Sequence, residues 1–346
     1  MRRAALLLLL IAAGWAAPLH AQDSQAQDDR CSGPVRPELP LYPDDTLTLG
    51  PGVSFVAGAV LAGPCAEGFG GFSAMVVDDG LHITAASDRG NWLWVQLGIE
   101  DGAISLTSGA LDPIAGSDAE GRHGRCQGLE AEGLSRFGDV LLMTFDTSGI
   151  VLAFDPETLE RRAQDDRPPL PLLRPGANEG YEAIAPLPEG GLIALRERES
   201  KRLPTRAGDW RPAPQRVWTQ GRGPWVERQV YIGPPQPHDV NQTRVSDAAT
   251  LPDGRLLLLE TSWRPETGNF TRVLHARFAG DALHAELPPL LSIAPGPLAD
   301  NFEALATVRT ESMGTLLLMM SDDNLNTSCV PNRNQRTKLL VFRLEE

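Results

Sequence analysis

A pattern of two short strands joined by a turn repeats five times along the sequence. In each copy the first strand carries a polar residue near its start, and the second strand is almost wholly apolar and ends in polar residues. The spacings between the polar positions of successive copies are 59, 50, 65 and 56 residues. Repeats of this length that hold several short strands are typical of the blades of a β-propeller. The five polar positions are Ser73, Glu132, Glu182, Asp247 and Glu303.

Turn residues separate the two strands of each copy, as in Asp78-Asp-Gly80 and Pro252-Asp-Gly254, and further strand-like runs follow. The sequence therefore predicts an all-β fold, a single β-propeller with five blades. Six blades are the alternative if segment 198–232 holds another unit, and a β-sandwich is the other fold that the pattern allows. A helical period long enough for alternating strands and helices does not occur in the sequence.

The two ends of the propeller are predicted to meet in the last blade. Its third strand lies at 338–342, and the fourth strand is predicted to come from the N-terminal segment 46–49. Such pairing closes the ring and removes exposed strand edges.

Hairpin pairing is expected to bring a second polar residue beside each of the five. In an antiparallel hairpin the start of the first strand lies beside the end of the second. Because the first strand of each propeller blade lines the central channel, the five pairs are expected to converge at one opening. Counted outward from each turn, Ser73 is predicted near Ser87 and Asp88, Glu132 next to Asp146, Glu182 opposite Glu197 and beside Arg196, Asp247 opposite Glu260, and Glu303 beside Asp322 and Asp323.

Carboxylates crowded at one opening need a cation or an arginine between them, because like charges repel. Ca²⁺, which takes about six to eight oxygen ligands, would meet that need. The alternative is structural: the polar strand ends only satisfy backbone groups. The predicted functional roles are catalytic for Glu132, Glu182, Asp247 and Glu303, substrate-binding for Ser73, Arg89, Arg196 and Asn324, and Ca²⁺-binding for Asp88, Asp146, Glu260 and Asp322.

The repeat motifs carry a family resemblance. They are Gly70-Gly-Phe-Ser73 with Ala85-Ala-Ser-Asp-Arg-Gly90, Glu132-Gly-Leu, Tyr181-Glu-Ala-Ile-Ala185, Asp300-Asn-Phe-Glu-Ala-Leu-Ala306, Ser321-Asp-Asp-Asn324 and Thr337-Lys-Leu-Leu-Val-Phe342. In order and spacing, over most of 45–344, the chain resembles the phytase-like, esterase-like family of bacterial exported proteins. The resemblance implies a propeller fold and hydrolysis of phosphate or other esters, with Ca²⁺. This chain has alanine after Glu182 and Glu303, where the family pattern suggests glycine.

The N-terminal residues are typical of a secretory signal. Two arginines precede an apolar run of about ten residues, too short to span a bilayer, and Leu19 and Ala21 suit a cleavage site. We therefore predict a signal peptide at 1–21, a Pro-rich tail or linker at 22–43 and the propeller domain at 44–346. An uncleaved N-terminal anchor is the alternative. Periplasmic or secreted localisation is expected, with no membrane span after cleavage.

Charge and cysteine content narrow the function classes further. The chain has 31 basic and 45 acidic residues and a formal charge of −14, which disfavours nucleic acid and anionic membranes as partners. Four cysteines, Cys31, Cys65, Cys126 and Cys329, predict two disulfides in an oxidising compartment, with three possible pairings. No G-x-S-x-G motif marks a serine nucleophile.

Three functional hypotheses follow from these observations. The first is an exported, Ca²⁺-dependent hydrolase of a small anionic ester or phosphoester. The second is a non-catalytic propeller that binds a ligand or a protein. The third, supported by less, is a lactonase-like propeller.

Overall fold

The computed structural model describes residues 33–64, 68–114, 131–145, 151–162, 180–196, 215–220, 225–231, 244–324 and 335–345. Within these ranges all regular structure is β-strand, and no helix is long and apolar enough to cross a membrane. The predicted signal peptide, the four cysteines and Asp146 lie outside the described residues.

Twenty-two strands make up the described structure. They are β1 (Arg36–Pro40), β2 (Leu47–Leu49), β3 (Val53–Ala62), β4 (Phe72–Val77), β5 (His82–Ser87), β6 (Asn91–Glu100), β7 (Ala103–Pro113), β8 (Ala131–Phe137), β9 (Val140–Phe145), β10 (Leu152–Phe154), β11 (Tyr181–Pro186), β12 (Leu192–Arg196), β13 (Gln215–Gln220), β14 (Val226–Tyr231), β15 (Arg244–Thr250), β16 (Leu256–Arg264), β17 (Gly268–Ala279), β18 (Ala282–Ala285), β19 (Leu291–Ile293), β20 (Asn301–Thr310), β21 (Gly314–Asp322) and β22 (Lys338–Leu344).

The first strands of the five repeats form a closed ring. β4 packs against β8, β8 against β11, β11 against β15, β15 against β20, and β20 against β4. Each first strand pairs antiparallel with the apolar strand that follows it. Strands arranged radially around a shared inner ring define a β-propeller, so the predicted all-β propeller is confirmed.

The number of sheets differs from the five separate blades that were predicted. Hydrogen bonding gives four sheets, of four, three, ten and five strands. The third and fourth repeats share the ten-stranded sheet because their outer strands, β14 and β18, pair in parallel. The described part of segment 198–232 supplies β13 and β14 of the third repeat, and not a sixth unit.

An N-terminal strand closes the last sheet, but it is not the predicted one. β3 pairs antiparallel with β22 and thereby joins the two ends of the chain. The predicted segment 46–49 contains β2, which pairs with β19 in the ten-stranded sheet. β1, which lies within the segment predicted as a tail, adds to the outer edge of β3.

Continuous apolar runs in the second strands follow from burial on both faces of each sheet. In β21, Leu316, Leu318 and Met320 pack into the core shared with the first sheet. The alternate residues Leu317 and Met319 pack into the core shared with the fourth repeat. Both faces of this strand are therefore buried, which explains why polar and apolar residues do not alternate along it.

Close packing between neighbouring inner strands is sharpest at Gly133 in β8. A Cβ there would lie 2.9 Å from the Glu182 carbonyl oxygen and 3.0 Å from the Ile184 nitrogen, both backbone atoms of β11. We expect Gly133→Ala to lower the free energy of unfolding by about 1–3 kcal/mol, because backbone cannot yield as a side chain can. Denaturant titration measures this, and an unchanged midpoint would contradict the close approach. Gly190→Ala, at a turn with nothing within 4 Å of the added Cβ, separates steric from conformational cost.

Candidate functional site

All five inner strands contain a β-bulge at the same place. Pairing skips one residue between Phe72 and Ala74, and at the equivalent points of β8, β11, β15 and β20. A bulge leaves one residue without a direct partner and redirects its side chain, which makes bulges common beside functional sites. The skipped residues, which we call the bulge ring, are Ser73, Glu132, Glu182, Ser246 and Glu303.

The fourth member of the bulge ring is Ser246, and not Asp247 as predicted. Asp247 pairs with Leu259, whereas Glu260 lies opposite Val245. The Asp247 carboxylate is fully buried and accepts hydrogen bonds from the backbone nitrogens of Ala248, at 2.8 Å, and Leu305, at 2.7 Å. Its burial raises its pKa well above the usual range. Asp247 therefore joins β15 to β20. It satisfies backbone groups, which is the structural role that the sequence analysis gave as the alternative to a functional one.

Glu303 is held by contacts to both of its carboxylate oxygens. Its Oε1 accepts a hydrogen bond from Asn301 Nδ2 at 2.8 Å and an ion-paired hydrogen bond from Arg244. Its Oε2 lies 3.2 Å from Ser73 Oγ, which is 2.7 Å from Asp88 Oδ1. These contacts fix the Glu303 side chain and confirm the predicted closeness of Ser73 to Asp88.

Arg244 extends this network to the fourth repeat. Its Nε donates to Thr261 Oγ1 at 3.2 Å, and that hydroxyl lies 2.6 Å from Ser246 Oγ. Its side chain is 20% exposed, so the guanidinium is held by the protein and still reaches solvent. Sequence reasoning missed Arg244, although it stands two residues before a bulge position, as Asn301 does.

Asp322 lies beside Glu303 across the hairpin, as predicted. Burial raises its pKa well above the usual range, and the nearby carboxylates of Glu303, Asp88 and Asp323 raise it further. Its Oδ1 accepts a hydrogen bond from the Asn324 nitrogen at 2.8 Å. Such crowding favours the neutral, protonated form of Asp322.

Arg89 serves the contact between the fifth and first repeats. Its side chain is 4% exposed and donates to the Phe69 carbonyl at 2.7 Å and to Asp323 Oδ1 at 3.3 Å. The same Asp323 oxygen accepts the Gly71 N–H at 2.9 Å. Gly70 is required here because a Cβ would lie 2.7 Å from Asp323 Oδ2. The Gly-Gly pair of the first motif therefore admits a carboxylate, and Arg89, predicted to bind substrate, is almost fully buried beside it.

Glu260 forms a buried ion pair with Arg272, its cross-strand neighbour on β17. Both side chains are almost fully buried. An arginine and not a metal therefore balances the charge of this predicted Ca²⁺ ligand. Sequence analysis did not single out Arg272 for this role.

The remaining predicted residues lie on the second and third repeats. Glu132 is half-buried and Glu182 is buried, each at its bulge position. Arg196 ends β12 opposite Tyr181. Burial raises the pKa of Tyr181, and the charge of Arg196 partly opposes this. Tyr181 pairs with Arg196 and Ala183 with Leu195, so the skipped Glu182 lies opposite the bond between positions 195 and 196. It was predicted to lie opposite position 197.

A cleft of about 920 Å³ opens beside the Glu303 network. One wall is the tip of the β16–β17 hairpin, with Thr261, Trp263 and Asn269. The other wall is the segment that leads into β20, of which residues 295–297 and 299–301 line the cleft. Arg244 and Asn301 line the cleft, and both contact the Glu303 carboxylate. Glu303 is therefore next to the cleft, in contact with two of its lining residues. Asn324, predicted to bind substrate, also lines it.

A family profile described as esterase-like activity of phytase matches residues 67–325, which is more than half of the chain. The chain belongs to the phytase-like family. The match spans all five bulge positions, from Ser73 to Glu303. In this phytase-like chain the alanines after Glu182 and Glu303 are buried beside their bulges, where a small side chain is accommodated.

Comparison with other proteins adds distant similarities only. No curated protein matches this phytase-like chain. A PQQ-bound aldose sugar dehydrogenase from Streptomyces coelicolor is similar at 12% identity and a TM-score of 0.44, covering 88% of this chain and 100% of the other. A gluconolactonase from Xanthomonas campestris has 12% identity and a TM-score of 0.40, with 90% and 98% covered. The calcium structure of a Family AA12 carbohydrate-active enzyme from Trichoderma reesei has 10% identity and a TM-score of 0.43, with 91% and 99% covered.

The carboxylates of the described site do not fit a Ca²⁺ centre. The described residues contain no group of three or more His, Cys, Asp or Glu side chains placed to hold a metal ion. Arg244, Asn301 and Ser73 contact the Glu303 oxygens, and protein donors likewise contact Asp323. The predicted Ca²⁺ role of Asp88, Glu260 and Asp322 therefore gains no support from this geometry, and Asp146 lies outside the described residues.

Three buried carboxyls make stability depend on pH. Burial raises the pKa of Asp247, Asp300 and Asp322 in the folded protein, whereas unfolded aspartates titrate near about 4. Above that pH the folded state holds protons that the unfolded chain has released. The free energy of unfolding should therefore fall as pH rises from about 4 toward the raised pKa values.

Asp322→Asn tests this dependence, because asparagine keeps the Oδ1 acceptor and removes the ionisation. We expect a higher thermal midpoint than wild type at pH 8 and little difference at pH 4, in thermal scans with a chelator present. Asp155→Asn is the control, since Arg162 lowers the pKa of Asp155 to about 2, so its ionisation changes only below about pH 4. A wild-type midpoint for Asp322→Asn at both pH values would contradict the assignment.

Proposed function

We propose that this phytase-like chain hydrolyses esters of small polar molecules in the cleft beside Glu303. The observation that carries the proposal is the Arg244–Glu303 pair at the wall of a cleft large enough for a small molecule. Here the Glu303 carboxylate, the partly exposed Arg244 guanidinium and the Asn301 amide contact one another. A carboxylate and hydrogen-bond donors converging in a pocket suit acyl or phosphoryl transfer to water.

Glu303 is the proposed general base. A water molecule at the Arg244 end of the cleft would attack the carbonyl carbon or the phosphorus while its proton passes to the Glu303 carboxylate. The carbonyl or phosphoryl oxygen gains negative charge as the new bond forms. The guanidinium of Arg244 and the amide of Asn301 would stabilise that charge by hydrogen bonds already oriented before the substrate arrives. The bond between the carbonyl carbon or phosphorus and the alcohol oxygen then breaks, and the alcohol takes the proton from Glu303, which returns to its carboxylate form.

The proposed substrate is a small ester or phosphoester, and neither nucleic acid nor a membrane is a proposed partner. A Ca²⁺ ion would add a Lewis acid at such a site. The described donors do not form a place for it, so no step is assigned to it.

We also propose that the protein is exported to the periplasm or the medium. The short apolar run after Arg2 and Arg3 and the even number of cysteines support this. Expression in a bacterial host with fractionation should give a mature chain that begins near residue 22. An uncleaved chain retained in the cytoplasm would contradict it.

A non-catalytic ligand-binding propeller is the second candidate. It is favoured by the full engagement of Glu303, whose two oxygens already contact Arg244, Asn301 and Ser73. A carboxylate so bound can serve as a fixed recognition element instead of a base.

Turnover separates the two candidates. Purified protein is assayed with 4-nitrophenyl acetate, 4-nitrophenyl butyrate, 4-nitrophenyl phosphate and a δ-lactone, with and without Ca²⁺. We expect saturable hydrolysis of at least one of these esters, and we expect Glu303→Gln to abolish it. Failure of all four, together with ligand binding that depends on Arg244, would favour the binding candidate.

A further inference from the structure

We infer that the cleft binds the uncharged, polyhydroxylated part of its substrate, a carbohydrate or a cyclic polyol. The inference rests on the proposed function, since it places the ester group at the Arg244 end and the hydroxyl-bearing part against the outer wall. It is carried by three features of the described lining residues: an exposed aromatic face, a set of side-chain amides, and charges that are already paired.

Trp263 supplies the aromatic face. It lies near the end of β16, directly opposite Asn269 of β17, at the tip of the hairpin that forms one cleft wall. Its side chain is 49% exposed, although it is the largest apolar side chain on that wall. Aromatic rings pack against apolar faces and leave polar edges in water. The C–H face of a sugar or cyclitol ring is such a partner, with its hydroxyls pointing sideways.

Amides line the cleft around this ring. Asn269, Asn324 and Gln335 line it, and so do Asn301 and Thr261, whose side chains also bond to Arg244. A side-chain amide presents both donors and an acceptor, and a hydroxyl presents both as well. Neighbouring ligand hydroxyls require both kinds of partner at once. Carboxylates accept only and ammonium groups donate only, so an amide-rich wall suits neutral hydroxyls best.

The charges of the described lining residues are balanced within the protein. Lys338 Nζ donates to the carbonyls of Pro297, at 2.9 Å, and Ala299, at 2.8 Å, and forms an ion pair with Asp300 at 3.1 Å. Arg244 is paired with Glu303. A ligand with several phosphates would need several cations whose charge is not already neutralised. The cleft therefore favours a neutral ring over a polyphosphate.

Direct binding tests the inference without reference to turnover. Neutral monosaccharides, disaccharides and cyclitols, with myo-inositol among them, are titrated into the full chain and followed by tryptophan fluorescence and calorimetry. Inositol hexakisphosphate is titrated in parallel. We expect saturable binding of at least one neutral compound, weakened about tenfold or more by Trp263→Ala and largely retained in Trp263→Phe.

Trp94→Ala is the matched control. Trp94 is also a partly exposed tryptophan, but it stacks on His82 in the first repeat, away from the cleft. Its loss should leave the affinity unchanged. The inference is overturned if no neutral compound binds, if inositol hexakisphosphate alone binds, or if Trp263→Ala binds as tightly as wild type. Binding without hydrolysis of any ester would leave the inference standing and remove the proposed catalysis.

Discussion

Glu303→Gln is expected to lower kcat for ester hydrolysis by at least about a hundredfold, with little change in KM. Glutamine keeps the shape of the side chain and an acceptor for the Asn301 amide, so the cleft wall should hold its geometry. It cannot take the proton of the attacking water, and that loss acts in the transition state. Initial rates against substrate concentration on the best ester of the panel give both constants.

Glu286→Gln is the control for this exchange. Glu286 pairs with Arg277 on the exposed outer side of the fourth repeat, so the same chemical change occurs away from the cleft. Its kcat should match that of wild type. If Glu303→Gln keeps the wild-type kcat while Arg244→Met no longer binds ligand, Glu303 is not the general base. The non-catalytic, ligand-binding function would then be favoured.

Asp323→Ala is expected to lower the free energy of unfolding by about 3–5 kcal/mol, because it removes one partner of a buried ion pair. Asp323 is fully buried, and it accepts hydrogen bonds from the Gly71 N–H and from Arg89. Its removal leaves the buried Arg89 without that carboxylate and the Gly71 N–H without an acceptor. These contacts join the last repeat to the first, so their loss weakens the contact between β20 and β4 that closes the inner ring. Urea titration followed by far-UV circular dichroism measures the loss.

Two further variants identify the source of that loss. Asp253→Ala removes an exposed carboxylate paired with Arg255 and should change stability little, because surface pairs are screened. The double variant Asp323→Ala with Arg89→Met removes both buried charges and should recover part of the loss. Equal instability of the single and double variants would assign the effect to packing and not to charge.

Much of this fold was predictable because its repeats carry a two-strand signal. Apolar runs in the second strands, such as that at 256–259, follow from sheets buried on both faces. Polar residues near the start of the first strands, such as Glu303, mark the inner ring. The union of the third and fourth repeats was not predictable. It depends on parallel pairing of β14 with β18, two edge strands distant in sequence whose residues carry no pairing signal.

The candidate site was predicted in outline, and the bulges caused its errors. Simple counting from a turn assumes that strands pair without interruption, whereas every inner strand skips one residue. In the fourth repeat, Ser246 and Asp247 are both polar, and the skip selects Ser246. Arg244 and Arg272 escaped prediction because their partners, Glu303 and Glu260, are contributed by other strands.

A crystal structure of the Glu303→Gln variant, soaked with the best ester of the panel, will locate the bound ester on the protein. We expect density for an intact ester in the cleft, with its carbonyl or phosphoryl group near Arg244 and the substituted position 303, and the rest of the molecule toward Trp263. Ester bound elsewhere, such as beside Glu132 and Glu182, with this cleft empty, would contradict it.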